Sequence, residues 1–374
     1  MTQTWTITGG EILAQGALTA RPLYVANGLI RDTPTPEART YDARGAWVLP
    51  GIVDLHGDGF EAIVQPRAGV HFPYPLAFAE ADRQMLANGI TTAFHALTVS
   101  WEPGLRSIEV ARELVAALEA ATSGLRCSTH LNIRWETFAV DHVAEVLGWL
   151  DRRPGDILSI NDHTTANRAL DAGSSKVKRM AARMGITPEE TKRLIDEVWA
   201  RRAEVPGATA QICAGASARG TPILSHDQCS AEDWAEGRDL GISVSEFPMT
   251  EAAAAAARDA GEPVILGAPN ALRGLSHNGA LCATSAISAG LCDVLASDYY
   301  YPAPLHAAFR LWQAGVLPMA DAWALVSTNP ARAAKLQDRG EIAPGKRADL
   351  IVVDPDSREV RAVFVAGRKV LDRV

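Results

Sequence analysis

Three histidines and several carboxylates follow apolar, strand-like runs along this sequence of 374 residues. The six candidate metal ligands among them are His56, Asp58, Glu136, His163, His226 and Asp298. Imidazole nitrogen and carboxylate oxygen, without thiolate sulfur, are the donors of a hydrolytic zinc, manganese or iron centre rather than of a structural zinc site. A single histidine is more often a packing residue, but three at such positions, each with carboxylates nearby, favour a metal-dependent hydrolase.

The spacing of these residues predicts two metal-binding groups. His56 and Asp58 are two residues apart, so on an extended strand end both side chains point to the same side and can hold one metal. His163 and His226, from neighbouring strands, can hold a second metal, and Glu136 is placed to bridge the two. Metals about 3.5–4 Å apart would share a hydroxide and activate it near neutral pH.

Asp298, after the last apolar run, is the natural proton acceptor of such a centre. A carboxylate at this place can contact a metal, accept a proton from the attacking water and return it to the leaving group. We therefore expect two divalent metal ions with Asp298 as the catalytic residue. Zinc is the first choice, and manganese and iron are alternatives because the same nitrogen and oxygen ligands suit all three.

Alternating strand-like and helical patterns predict the elements that bring these residues together. Eight strands separated by helices indicate an α/β fold, a parallel (β/α)8 TIM barrel in which reactive groups lie at the carboxyl ends of the strands. An open, doubly wound sheet is the alternative, but no GxGxxG motif follows a strand. The predicted strands are 52–56, 91–97, 127–136, 157–163, 223–226, 242–247, 264–268 and 294–298. The clearest helical patterns are 78–88, 108–120, 140–152 and 251–260.

Short β-segments at both ends of the chain predict a second, smaller sheet domain. They are 5–8, 17–25 and 29–32 near the start, and 349–353, 360–365 and 369–371 near the end. We assign residues 1–50 and 340–374 to this domain and residues 51–339 to the barrel. The connection between residues 164 and 220 is unusually long and contains helical patterns at 175–184 and 187–202. A lid, a subunit contact and a decorative surface helix pair are all consistent with it.

Composition excludes several classes of function. The 36 Lys and Arg against 44 Asp and Glu give a net charge of −8, opposite to that of most non-specific nucleic-acid binders. No apolar run approaches the roughly 18 residues that span a bilayer. Five cysteines without a CxxC pair fit reduced thiols. We expect a cytoplasmic homo-oligomer, a dimer, that binds a small molecule and neither nucleic acid nor membrane.

Several motifs are similar to those of the amidohydrolase superfamily. The segments VLPGIVDLHGD and GEIAPGKRADLIVVD carry this resemblance, and APNALRGLSHNG together with SDYYYP resembles the superfamily's phosphonate-degradation branch of triphosphate diphosphatases. The resemblance implies a barrel flanked by a small β-sandwich domain formed by both termini. It also implies a first-strand metal pair (His56 and Asp58), a bridging carboxylate (Glu136), paired histidines (His163 and His226) and a catalytic aspartate (Asp298). Gly57 and Gly59 stand where this branch often has Thr and Asn.

The resemblance implies hydrolysis of α-D-ribose 1-methylphosphonate 5-triphosphate to the 5-phosphate and diphosphate. Such a substrate carries dense negative charge and needs cations besides the metals, for which Arg67, Arg273 and His277 are the candidates. A C–N bond hydrolase of the deacetylase or cyclic amidase type is the alternative, since an uncharged amide does not need these three groups. A scaffold without catalysis is a third hypothesis, which the six intact ligand positions disfavour. We expect His95, on the second strand, to be a core residue or to support the site from behind.

Overall fold

The computed structural model describes residues 3–274 and 281–373. Its first seven strands all precede residue 51, and most of their inward side chains are apolar and buried. They are β1 (Trp5–Thr8), β2 (Glu11–Ala14), β3 (Ala17–Ala20), β4 (Leu23–Ala26), β5 (Leu29–Arg31), β6 (Arg39–Asp42) and β7 (Trp47–Pro50).

The next eight strands form one parallel sheet in sequence order. They are β8 (Ile52–Gly57), β9 (Ile90–Val99), β10 (Ser128–Glu136), β11 (Ile157–Asn161), β12 (Ile223–His226), β13 (Val244–Glu246), β14 (Val264–Gly267) and β15 (Val294–Ala296). The strands are covered by helices on the outside and by one another within, so nearly every residue is buried and the apolar runs are continuous. Side chains such as Val53, Phe94 and Leu224 fill the barrel interior.

The last three strands, β16 (Leu350–Val353), β17 (Val360–Val365) and β18 (Arg368–Asp372), join the N-terminal strands. One mixed sheet has the order β18-β17-β16-β7-β2-β3, and a second has the order β5-β4-β1-β6. The two sheets share an apolar core in which the Trp5 ring meets the Phe364 ring edge-on at 5.5 Å. Both termini therefore build the small β-domain, as predicted, whereas the domain boundaries stay a prediction.

Fifteen α-helices are present in the described residues, most of them between barrel strands. They are α1 (Gly59–Val64), α2 (Tyr74–Ala87), α3 (Ile108–Ala121), α4 (Val143–Arg152), α5 (His163–Arg168), α6 (Ser175–Met184), α7 (Pro188–Trp199), α8 (Val205–Ala218), α9 (Ala231–Asp239), α10 (Glu251–Asp259), α11 (Ala268–Arg273), α12 (Ala283–Ser288), α13 (Ala303–Gln313), α14 (Met319–Ala324) and α15 (Thr328–Ala333). None of them is long and apolar enough to cross a membrane.

The barrel closes where β15 meets β8. The Asp298 amide donates to the His56 carbonyl at 2.8 Å, and the Asp58 amide donates to the Asp298 carbonyl at 2.9 Å. Beneath this pair, the Asp54 carboxylate accepts hydrogen bonds from the Ser297 amide at 2.8 Å and the Ser297 hydroxyl at 2.5 Å. The (β/α)8 barrel is thereby confirmed, and the open-sheet alternative is wrong because its two edge strands are joined.

Gly57 lies at this seam and has no room for a side chain. A Cβ there would lie 2.9 Å from Asp54 Oδ2 and 3.1 Å from Ser297 Oγ. A threonine at this position would displace the Asp54 and Ser297 side chains, which hydrogen-bond to each other across the seam. The glycine that departs from the resembled branch is thus explained by close packing at the seam.

The terminal strands differ most from the sequence-based expectation. Strands β2, β6 and β7 were not predicted, and the single run predicted over 17–25 is two strands, β3 and β4. Arg21 and Pro22 separate them, because proline cannot donate a hydrogen bond to a neighbouring strand. The helices predicted at 175–184 and 187–202 are present as α6 and α7.

His95 of β9 is buried among aromatic rings on the outer side of the barrel wall. It is 1% exposed, its ring lies 5.1 Å from Phe60 and 5.4 Å from Phe78, and neither ring nitrogen has a hydrogen-bond partner among the described residues. Burial, with a smaller contribution from the charge of Arg153, lowers the pKa of His95 to about 4. Of the two roles expected for it, the structure shows the core one.

We predict that His95→Leu flattens the acid side of the stability profile. An unfolded histidine takes up a proton near pH 6.5, but His95 does so only near pH 4 in the folded state. Between these values the unfolded state binds more protons, so wild-type stability falls as the pH falls, by at most about 1.4 kcal/mol per pH unit. Urea unfolding at several pH values measures this slope. His71→Leu, which removes an exposed histidine, is the matched control, and parallel curves for wild type and His95→Leu would contradict the prediction.

Candidate active site

The closing seam of the barrel brings together one group of possible metal ligands. His56 and Asp58 come from the end of β8, and Asp298 follows β15. One ligand atom of each lies within 4.8 Å of the other two. The backbone hydrogen bonds between these two strand ends hold the group together, so the first predicted metal pair and the predicted catalytic residue are neighbours.

A second group of possible ligands lies on the next part of the rim. His163 and His226 are joined here by Asp227, and their ligand atoms also lie within 4.8 Å of one another. The Asp227 carboxylate is 3.4 Å from His163 Nε2 and 3.1 Å from His226 Nδ1. The structure thus brings the two predicted histidines together and adds an aspartate that the sequence analysis did not place among the ligands.

Glu136 belongs to neither group and takes a different position from that expected of a bridge. Its Oε1 pairs with His163 Nδ1, and its Oε2 accepts a hydrogen bond from the Thr164 hydroxyl at 3.4 Å. The carboxylate therefore contacts the nitrogen of His163 that faces away from Asp227. This is the arrangement by which a carboxylate orients a metal-binding histidine. A bridging role for Glu136 stays a prediction.

Glu246, at the end of β13, connects the two groups from below and was missed by the sequence analysis. It has no exposed surface, and its Oε1 lies 2.8 Å from His56 Nδ1. Asn132 Nδ2 also donates to Oε1 at 2.8 Å, and the Ser159 hydroxyl donates to Oε2 at 2.5 Å. His56, His226 and Glu246 form a third cluster of possible ligand atoms. Glu246 lies at the end of a barrel strand, and the same criterion identified the other candidate ligands, so it could have identified Glu246 as well.

The backbone of this rim is held in conformations that non-glycine residues rarely adopt. Asp227 (φ 61°), Phe247 (φ 52°) and Asp298 (φ 56°) all have left-handed backbone. Each lies within two residues of the end of β12, β13 or β15. Such conformations cost about 1–3 kcal/mol each and cluster at functional sites. The strain falls on the residues that turn the chain as it leaves the barrel.

Charge crowding shifts the proton affinities of these side chains. Burial, followed by the negative charge of Asp58, raises the pKa of Asp298 to about 6. Burial lowers the pKa of His163, but the carboxylates of Glu136 and Asp227 outweigh it and raise this pKa to about 9. The raised pKa gives Asp298 a higher proton affinity than an ordinary aspartate has, as a proton acceptor needs. His163 must lose a proton before its Nε2 can bind a metal.

The donor set fits divalent metal ions. Neutral imidazole and carboxylate suit zinc, manganese and iron, and both groups combine the two donor types. The His226 Nδ1 atom is buried and has no hydrogen-bond partner among the described residues, although Asp227 lies nearby. A buried polar atom without a partner costs free energy unless something binds it. Metal coordination at this rim would satisfy it.

A cleft opens above these ligands and is lined by two arginines. Arg273, predicted to bind substrate, is exposed at the end of α11, and Arg134 lies deeper and is 5% exposed. The Arg134 guanidinium donates to Asn161 Oδ1 at 3.3 Å and approaches Asp58 Oδ2 to 3.8 Å. The sequence analysis missed Arg134, although it stands two residues before Glu136 on β10.

Of the two other predicted substrate residues, Arg67 does not line this cleft. Arg67 is exposed in the connection between α1 and α2 and borders a separate surface pocket with Glu61 and Arg183. His277 lies outside the described residues. A role for either in substrate binding stays a prediction.

The chain is similar over nearly its whole length to a known hydrolase. Residues 85–370 match the amidohydrolase family. Over 375 aligned residues the chain is 32% identical to the alpha-D-ribose 1-methylphosphonate 5-triphosphate diphosphatase of Escherichia coli (strain K12), covering 97% of this chain and 99% of that protein.

Solved structures show the same fold at lower sequence identity. The β-aspartyl dipeptidase of Fervidobacterium islandicum AW-1 is 17% identical with a TM-score of 0.63, covering 100% of this chain and 97% of that one. Molinate hydrolase is 16% identical with a TM-score of 0.64, covering 99% of this chain and 95% of that one. At these identities the likeness concerns the fold alone.

We predict that Glu246→Gln weakens metal binding. The amide keeps the size of the side chain, but it loses the charge and replaces one of the two oxygens that accept from His56, Asn132 and Ser159 with an NH2 donor. His56 then loses its orientation, and loss of such a supporting contact typically weakens metal affinity by about 10- to 100-fold. Competition for Zn²⁺ with a chromophoric chelator measures the affinity. Glu262→Gln, a carboxylate outside the cleft, is the control, and wild-type affinity in Glu246→Gln would show that His56 does not depend on this contact.

Proposed function

Because the chain belongs to the amidohydrolase family, we propose that it is a metal-dependent hydrolase that cleaves α-D-ribose 1-methylphosphonate 5-triphosphate to the 5-phosphate and diphosphate. Near full-length identity of 32% to a diphosphatase of that name supports the substrate. The observation that carries the proposal is the cleft in which Arg134 and Arg273 face the same space as His56, Asp58 and Asp298. Cations and metal ligands together suit a polyphosphate.

We propose two divalent metal ions as cofactors, zinc in the first place and manganese or iron as alternatives. His56, Asp58 and Asp298 would hold one ion, and His163 and His226 the other, with Glu136 as the bridging or supporting carboxylate. Asp227, beside both histidines, is a further candidate ligand. When bound, such ions supply Lewis-acid activation of water and of a phosphoryl oxygen.

The side chains of the cleft have separate tasks in this reaction. Asp298 accepts a proton from the attacking water as the water oxygen bonds to phosphorus. The α–β phosphoanhydride bond breaks, diphosphate leaves, and Asp298 returns the proton to it. Arg134 and Arg273 bind phosphoryl oxygens and offset the negative charge that the carboxylates of the site would otherwise repel.

A C–N bond hydrolase of the deacetylase or cyclic amidase type remains the alternative. It uses the same metal ligands and the same proton acceptor, so the metal centre does not separate the two functions. They differ in the arginines, because an uncharged amide gains little from Arg134 and Arg273. The predicted homodimer and the predicted cytoplasmic location stay predictions.

We predict that Asp298→Asn nearly abolishes diphosphate release while the protein keeps its metal. A neutral amide can still coordinate through its oxygen but cannot accept a proton, and loss of such an acid–base residue costs about 10²- to 10⁴-fold in kcat. Released diphosphate and the metal content of the purified protein are measured together. Activity close to that of the wild type would assign proton transfer to another base, with Asp227 the first to test.

We predict that Arg273→Ala lowers kcat/KM for a 5-triphosphate substrate by about 10- to 150-fold. Each charge-assisted contact to a phosphoryl oxygen contributes roughly 1.5–3 kcal/mol, which corresponds to this range. Turnover of a neutral ester or amide, where it occurs, should barely change. Arg193→Ala, which removes an exposed arginine of α7 outside the cleft, is the matched control.

Two outcomes of this comparison would count against the proposal. Equal losses on charged and neutral substrates would show that Arg273 has a structural role. A wild-type protein that releases no diphosphate from any ribose- or nucleoside-triphosphate-like compound would favour the C–N hydrolase.

A further inference from the structure

The helices inserted between β11 and β12 contact the metal-ligand region directly through α5 and also through Trp101. Met180 and Met184 of α6 and Ile195 of α7 form a small buried cluster, and Trp101, just after β9, packs against it. Arg183 of the same α6 forms an ion pair with Glu102, next to Trp101. The insertion is thereby attached to the loop that leaves the second barrel strand.

Trp101 is connected to the site by a hydrogen bond to the hydroxyl group of Thr164. Its indole Nε1 donates to Thr164 Oγ1 at 2.8 Å, and Thr164 is 1% exposed. An indole N–H can only donate, so the threonine oxygen is the acceptor of that bond. The hydrogen of the threonine hydroxyl is then free to bond to another acceptor. Glu136 Oε2, at 3.4 Å, is that acceptor.

Glu136 is held at both oxygens as a result. Oε1 pairs with His163 Nδ1, and Oε2 receives the Thr164 hydroxyl. The carboxylate is 3% exposed, so water contributes little to holding it. With Nδ1 occupied, His163 presents Nε2 toward Asp227, in the group of possible ligands that also contains His226. The orientation of the carboxylate thus decides which ring nitrogen of His163 is available to a metal.

We propose that Trp101 and Thr164 are positioning residues for Glu136 and His163, and that the packing of the insertion on Trp101 fixes this metal ligand. The chain of contacts runs from the Met180–Met184–Ile195 cluster to Trp101, Thr164, Glu136 and His163. The proposal rests on the metal-binding part of the proposed function and not on the substrate. It gives the insertion a role that neither a lid nor a decorative helix pair has.

Conservative substitutions separate the hydrogen bonds from the packing. Trp101→Phe keeps an aromatic ring against the methionines but removes the N–H donor. Thr164→Val keeps the shape of the side chain but removes the hydroxyl, and Thr164→Ser keeps the hydroxyl. Competition for Zn²⁺ with a chromophoric chelator measures affinity without substrate. We expect Trp101→Phe and Thr164→Val each to weaken zinc binding by about 10- to 100-fold, and Thr164→Ser to stay within about threefold of the wild type.

The double variant and a matched control complete the test. Because both residues act through the same carboxylate, Trp101→Phe combined with Thr164→Val should bind zinc about as weakly as the weaker single variant. Trp199→Phe replaces a tryptophan of the same insertion whose ring stacks on Phe138, and it should retain wild-type affinity. Thermal unfolding of the metal-free proteins shows which variants are folded.

Several results would overturn the inference. These are unchanged affinity in Thr164→Val or in Trp101→Phe, a loss in Thr164→Ser as large as that in Thr164→Val, and an equal loss in Trp199→Phe. If Thr164→Val does not fold, the comparison of Trp101→Phe with Trp199→Phe decides. A wild-type protein that binds none of zinc, manganese or iron would instead contradict the proposed function itself.

Discussion

The carboxylate of Glu246 is the contact on which the interior of this barrel depends. A buried carboxylate without partners costs on the order of several kcal/mol, so it persists only where donors surround it. Donors on three other strands provide this surrounding: His56 on β8, Asn132 on β10 and Ser159 on β11. Hydrogen bonds to Glu246 thereby connect four strands, just below the possible metal ligands. Below that level the interior is apolar, and above it polar side chains such as Asp58 and Arg134 line the cleft together with apolar ones such as Phe247.

The contacts that close the barrel also bring the candidate site residues together. The hydrogen bonds that join β15 to β8 are made by the backbones of His56, Asp58 and Asp298, whose side chains are possible metal ligands. The Asp54 carboxylate and Ser297 secure the seam beneath them, in the space that Gly57 leaves free. A change that loosens the seam therefore displaces possible metal ligands before it exposes the core. Under the proposed function, stability and metal affinity are therefore linked at these positions.

The barrel and most of its rim were predictable, because buried parallel strands are continuous apolar runs and their ends point to one face. That rule found His56, Asp58, His226 and Asp298 in one chain of reasoning. The position of Glu136 was not predictable. Sequence spacing indicates that a carboxylate lies near two histidines, but it does not show which carboxylate oxygen contacts which ring nitrogen. Strands β2, β6 and β7 were missed for another reason. They are four residues each, and they are stabilised by pairing with distant segments rather than by a pattern of their own.

Negative charge sets the remaining condition on this site. Asp58, Asp227 and Asp298 stand at the rim with Glu136 and Glu246 beneath them, and Arg134 is the buried arginine among them. The raised pKa of Asp298 is a direct sign of the repulsion, since burial and the neighbouring Asp58 both oppose its ionised form. A triphosphate adds further negative charge to the same space. Under the proposed function, bound cations and substrate stabilise each other by linkage, because each lowers the electrostatic cost of the other. In the metal-free site the crowded carboxylates would repel an anion. The same carboxylates would bind cations, and the site with bound cations would then attract the anionic substrate.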